Sequence, residues 1–152
     1  MDNDYITKAQ SKEKKGDLEG ALAEYQKALL ENPYNNGIQI EIGNLYAMLG
    51  FFDKAVEHLR IAFVSSPSDQ NLKDGLCFCL CESGNQYYDN RNFYLAENNF
   101  QEAVRLNPSK SEYLFNLGNT CYAQGKYKKA LEHYNKSLEL YYDPETLSCI
   151  GN

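Results

Sequence analysis

Residues 117–138 read LGNTCYAQGKYKKALEHYNKSL. Apolar and small residues recur at helical spacing on both sides of Gly125, so the stretch reads as helix, turn, helix. The same arrangement recurs toward the N-terminus. Ala130 is matched by Ala96, Ala55 and Ala21, and seven residues after each stand Ser137, Ala103, Ala62 and Ala28. Between them lie Tyr134, Phe100, Leu59 and Tyr25. Gly-Asn pairs precede these at 118–119, 84–85 and 43–44, and another closes the chain at 151–152. Gly16, Gly50 and Gly125 mark the turn in three of the units. Pro33, Pro67, Pro108 and Pro144 follow with spacings of 34, 41 and 36 residues.

Each unit is therefore two amphipathic helices. In the first unit Leu18, Ala21, Leu22, Tyr25, Ala28 and Leu29 form one apolar stripe. The small residues allow two helices to approach closely, the glycine ends the first helix in a left-handed cap, and the proline closes the second. Ala21, Ala55, Ala96 and Ala130 are expected in the core where the helices of a pair cross.

This pattern resembles the tetratricopeptide repeat, a helix–turn–helix unit of 34 residues. The resemblance covers nearly the whole chain and divides it into 2–35, 36–69, 77–110 and 111–143, with 144–152 opening a fifth unit. It implies an all-α fold, a right-handed α-solenoid of antiparallel helix pairs, forming one domain over 1–152. Two departures stand out: Ala9 replaces the usual glycine of the first unit, and Pro144 arrives two residues late. Residues 70–76, QNLKDGL, are a seven-residue insertion of about two helical turns, which keeps the apolar face in phase. The spacing of Leu72, Leu76, Leu80, Ser83, Gly84 and Tyr87 predicts one long helix over 70–90. The alternative is a helix ending at Gly84 with NQYYDNR as a loop, and the ungapped repeat match from Gly84 onward favours the long helix.

Composition narrows the function. Of 152 residues, 43% are hydrophobic and 24% charged, which excludes a disordered chain. The net charge of −6 supplies no basic footprint for nucleic acid or an anionic membrane. No apolar run spans a bilayer, and the N-terminus has no secretion-signal pattern. Five cysteines is an odd number, and with no disulfide framework in view the chain reads as cytoplasmic, with reduced thiols.

Catalytic and cofactor chemistry find little material. His58 and His133 occupy equivalent positions two units apart, which places them on second-helix surfaces and keeps them from converging on one metal. Within CFCLC, Cys77 and Cys81 share a helix face while Cys79 points elsewhere. No CxxC pair and no nearby histidine accompany them, so they read as small buried hydrophobes rather than ligands. Cys121 replaces a buried residue of the repeat. No phosphate loop and no nucleophile elbow occur. The expectation is no enzyme within these residues, no cofactor and no metal.

The informative surface is the one the resemblance implies. In tetratricopeptide proteins the first helix of each pair lines a concave face. Carried over position by position, that face comprises Ile40, Asn44, Met48, Phe78, Asn85, Tyr88, Phe115, Asn119 and Tyr122. Asn44, Asn85 and Asn119 share one repeat position and form a ladder. An asparagine both donates and accepts, so it suits a peptide backbone of any sequence. The same asparagines could instead bond a neighbouring helix. The aromatic and apolar members supply side-chain pockets. Chaperone-binding members of the family clamp a carboxylate with cations. Here the matching positions hold Ile6, Gln10, Glu41, Phe78 and Glu82, none of them cationic, so an acidic chaperone tail is not the expected partner.

The leading expectation is a non-catalytic protein–protein interaction scaffold that binds a peptide or partner segment in its groove. A second is the substrate-docking arm of a larger enzyme of glycosyltransferase or methyltransferase type. A third is self-association through the C-terminal end. Residues 144–152 place Leu147, Ile150 and Gly151 at repeat positions, which leads us to expect further repeat sequence beyond Asn152.

Overall fold

A computed structural model describes residues 2–142, with the backbone alone for Asp2 and Asn3. Its described residues form eight helices and no strand. In chain order they are α1 (Asp2–Lys14), α2 (Leu18–Glu31), α3 (Asn36–Met48), α4 (Phe52–Ser65), α5 (Gln70–Asp89), α6 (Phe93–Leu106), α7 (Ser111–Ala123) and α8 (Tyr127–Tyr141). The expected fifth unit at 144–152 lies outside the described residues. The long-helix reading holds: α5 runs unbroken through the insertion and past Gly84.

The chain divides into two compact units between Cys79 and Leu80, inside α5. In the first, α1 packs on α2, α2 on α3, and α3 on α4. Its core gathers Ala9, Ala21, Tyr25, Ala28, Ile38, Ile42 and Leu45. Ala55, Leu59, Ala62, Leu72 and Leu76 extend the buried set through α4 into α5. In the second unit α6 packs on α7 and α7 on α8. Leu80, Ala96, Phe100, Ala103, Leu117, Cys121 and Ala130 are buried there. All four alanines that the repeat spacing singles out are therefore in the core.

The Gly-Asn glycines explain why the pairs close so tightly. A Cβ on Gly43 would lie 2.7 Å from Leu59, one on Gly84 2.8 Å from the Phe100 ring, and one on Gly118 2.6 Å from the Tyr134 ring. Each second helix thus lays a large side chain against a bare stretch of first-helix backbone.

Three-residue turns join α1 to α2, α3 to α4, α5 to α6 and α7 to α8, and all four have one geometry. The middle residue donates its N–H to the carbonyl three residues back, and the next residue donates to the carbonyl five back. The pairs are Gly16 to Glu13 and Asp17 to Lys12, Gly50 to Ala47 and Phe51 to Tyr46, Arg91 to Tyr88 and Asn92 to Tyr87, and Gly125 to Tyr122 and Lys126 to Cys121. This closure requires a left-handed middle residue. Three of them are glycines with φ of +78°, +82° and +73°, and the fourth is Arg91 with φ of +61°. An L-residue in that region costs roughly 1–2 kcal/mol. Arg91→Gly is therefore expected to raise the unfolding free energy by about 1 kcal/mol in urea titration, because it removes that strain at an exposed site. Gly125→Ala should lower it by a similar amount, and equal midpoints for the two variants would refute the assignment.

Candidate functional site: the first-helix faces and the α7–α8 cleft

The residues expected on the concave face fall in both units and are taken unit by unit. In the first unit, Ile40 and Asn44 line a hollow of about 180 Å³ together with Leu59, Asp69, Asn71, Leu72 and Gly75. Met48 is exposed apart from it. Phe78 is half exposed and meets the Phe52 ring edge to face at 6.0 Å. In the second unit, Asn85, Tyr88 and Asn119 line one hollow of about 160 Å³ with Phe100 and Asn116. Tyr122 lies outside it, with its ring 5.2 Å from that of Tyr127.

Phe115 and Asn119 also line a larger cleft of about 630 Å³ between α7 and α8. Its other walls are Ser111, Glu112, Tyr134, Asn135, Ser137, Leu138 and Tyr141. Tyr134, Leu138 and Tyr141 were not among the sequence-derived residues. Their 4–3 spacing on α8 was readable, but that they wall a cleft beside α7 was not.

Hydrogen bonding decides what the asparagines have to offer. The Tyr134 hydroxyl donates to Asn119 Oδ1 at 2.7 Å, so one end of that amide serves the neighbouring helix. The Asn119 Nδ2 group is the end that remains to donate. Asn116 donates to Cys81 Sγ at 3.6 Å, tying α7 back to α5 within the second unit. Ser83 and Asn99 hold α5 to α6 in the same way, at 2.9 Å.

Ile6, Gln10 and Glu41, three of the positions compared with the carboxylate clamp, meet in a hollow of about 200 Å³ with Tyr25 and Asn35. Burial, and then the nearby Glu13 carboxylate, push the Glu41 carboxyl above its usual range. An acidic tail would meet like charge there.

The histidines differ from the surface placement that their spacing suggested, because both are half buried. His58 donates from Nδ1 to Gln39 Oε1 at 2.7 Å and stacks on Tyr46 with centroids 5.6 Å apart. At the repeat position of Gln39 the fourth pair has Leu114, and the buried His133 Nδ1 has no hydrogen-bond partner. Burial is the leading cause that lowers both imidazole pKa values. Cys77, Cys79, Cys81 and Cys121 are all buried, as expected of small hydrophobes. Cys149 lies outside the described residues.

No helix among the described residues is long and apolar enough to cross a membrane. A sequence profile of the tetratricopeptide repeat matches residues 6–69 and 81–141. Tetratricopeptide repeat protein 14 of Mus musculus is 30% identical over 79% of this chain, which spans 14% of that relative's length. Photosystem I assembly protein Ycf3 of Acaryochloris marina is 34% identical over 67% of this chain and 61% of its own. A solved structure of MamA from AMB-1 superposes with a TM-score of 0.64 at 19% identity, covering 97% of this chain and 78% of that one. That likeness speaks for the fold, which is of the all-α solenoid class. Such repeats are protein-interaction scaffolds in general. With its alanine crossings, its four alike turns and the profile match along both units, the chain belongs to the tetratricopeptide repeat family.

Proposed function

We propose that this chain is a non-catalytic scaffold that holds an extended peptide segment of a partner protein against its first-helix faces. The observation that carries the reading is the hollow in the second unit. Asn85 and Asn119 hold the same repeat position and line one space, with Tyr88 and Phe100 beside them. Asn85 offers a donor and an acceptor to a peptide backbone and Asn119 its Nδ2 donor a repeat away, and the Tyr88 ring supplies contact area. Ile40 and Asn44 offer a second such hollow in the first unit. The repeat boundaries 2–35, 36–69, 77–110 and 111–143 stand in this reading as the binding modules. Buried thiols at Cys77, Cys79, Cys81 and Cys121 suit a reducing, cytosol-like compartment.

The test is a peptide selected by display on the whole chain and titrated by fluorescence anisotropy. Asn85→Ala is expected to weaken it about fivefold or more, the effect of one lost backbone hydrogen bond of about 1 kcal/mol. Asn119→Ala should do the same, although it also releases the Tyr134 hydroxyl. Parental affinity in the Asn44→Ala, Asn85→Ala and Asn119→Ala variants together would move the site off the first helices.

A further inference from the structure

We propose that the second unit holds a proline-rich segment of its partner, extended as a polyproline II helix and carrying a lysine or arginine. The proposal rests on the scaffold reading above and names the chemistry of the partner. Tyr88 and Phe93 meet edge to face, with ring centroids 5.4 Å apart and planes at 63°. Tyr122 and Tyr127, at the same repeat positions one pair later, do so at 5.2 Å and 63°. Each pair forms a corner between two rings. The counterparts nearer the N-terminus are Ala47 with Phe52 and Glu13 with Leu18, so both corners lie in the second unit. Burial, and then the Tyr88 and Tyr122 hydroxyls, raise the Tyr134 pKa, which places the three phenols in one neighbourhood with Asn119. Tyr88 also lines the hollow of Asn85 and Asn119.

Hydrogen bonding, register and charge select the occupant. Tyr134 engages the Asn119 oxygen, so beside the aromatic corners that amide meets a ligand through its Nδ2 donor. The Tyr88 and Tyr122 hydroxyls can donate as well. Proline residues present carbonyls to such donors and bring no N–H that needs an acceptor. Their rings suit aromatic-lined grooves, and the polyproline helix is already extended before it binds. Polyproline II repeats every three residues, a step of about 9 Å. Packed helices stand about 8–10 Å apart, and the bond from Asn116 to Cys81 ties α7 directly to α5. One turn of the ligand therefore matches the step from the Tyr88 corner to the Tyr122 corner. From Leu80 onward the first helices α5 and α7 hold Glu82, Asp89 and Glu112 and no lysine or arginine, while the cations of the unit stand on second helices or in turns. A basic side chain on the segment answers these carboxylates and also lies well on a tyrosine face.

The probe is a fluorescein-labelled oligoproline peptide flanked by arginines, titrated by anisotropy against the whole chain at physiological salt. Two comparators keep its length. One replaces the prolines by alternating glycine and serine, and the other replaces the arginines by glutamates. The proline–arginine peptide is expected to bind with a dissociation constant of about 100 μM or tighter. Each comparator should bind at least about tenfold more weakly, the first for want of preorganisation and the second for want of complementary charge. Tyr122→Ala and Tyr127→Ala, at rings 61% and 63% exposed, should each weaken the probe about fivefold or more with helical circular dichroism unchanged. Absence of binding, a comparator that binds as well, or parental affinity in both tyrosine variants would overturn the proposal. The scaffold reading fails separately. It falls if the display-selected peptide ignores the asparagine variants, whereas a selected peptide that lacks proline yet depends on Asn85 and Asn119 overturns this proposal and leaves the scaffold reading standing.

Discussion

Phe100→Ala is expected to lower the unfolding free energy by about 3–5 kcal/mol. The ring is 1% exposed, lies against the bare backbone of Gly84, and forms one wall of the hollow shared by Asn85, Asn116 and Asn119. It therefore touches α5 on one side and faces α7 on the other. Its loss would enlarge a space that already holds about 160 Å³, and the rigid helix backbones leave little means of collapse. Phe78→Ala is the matched control. That ring is half exposed and meets the Phe52 ring edge to face, so its removal should cost under about 1 kcal/mol. Urea titration followed by circular dichroism, with hydrogen exchange to localise the loss, checks both. Similar costs for the two variants would mean that Phe100 is not the ring on which the pair closes.

The second large effect is expected at Glu97. Its side chain is 9% exposed and receives hydrogen bonds from Lys126 Nζ and Gln124 Nε2, each at 2.7 Å, with Gln101 Nε2 at 3.4 Å. The carboxylate on α6 thereby grips the turn between α7 and α8. Burial alone would raise the Glu97 pKa, but the hydrogen bonds from Lys126 and Gln124 outweigh it and hold the carboxyl below its usual range. A carboxyl depressed in the folded state stabilises the fold above its unfolded pKa, near 4.5, and loses that contribution as pH falls through the folded value. Glu97→Ala should therefore cost about 1.5–3 kcal/mol at neutral pH, the worth of a hydrogen bond to a charged group, and progressively less in acid. Melting temperatures of parent and variant at neutral pH and in acid provide the check. A gap between them that does not narrow in acid would show that the charge is not what Glu97 contributes.

What was legible in the sequence follows from what spacing encodes. Ala21, Ala55, Ala96 and Ala130 were readable because a crossing point tolerates only a small side chain, and the Gly-Asn pairs were readable for the same steric reason. Three of the four turns announced themselves by glycine. Arg91 did not, because nothing in a side chain forbids an arginine from being forced into the left-handed region by two backbone hydrogen bonds. The histidines show a different limit. Their equivalence was plain, but the half-burial and the contrast between Gln39 beside His58 and Leu114 near His133 depend on the neighbouring helix. The asparagine ladder was legible as a residue type at a position. That Asn119 gives its oxygen to Tyr134 was not, because the tyrosine belongs to the packing pattern and carries its hydroxyl along.

The close contacts between the helices of a pair also set a clock. Gly43 meets Leu59, Gly84 meets Phe100 and Gly118 meets Tyr134, and each contact spans the same short loop of chain. Loops of this kind close in roughly 10–100 ns, and chains built from local contacts fold in microseconds to milliseconds. Because the loop is the same in each pair, lengthening the array adds pairs without adding slower closures. The search that limits folding is repeated rather than enlarged as repeats accumulate.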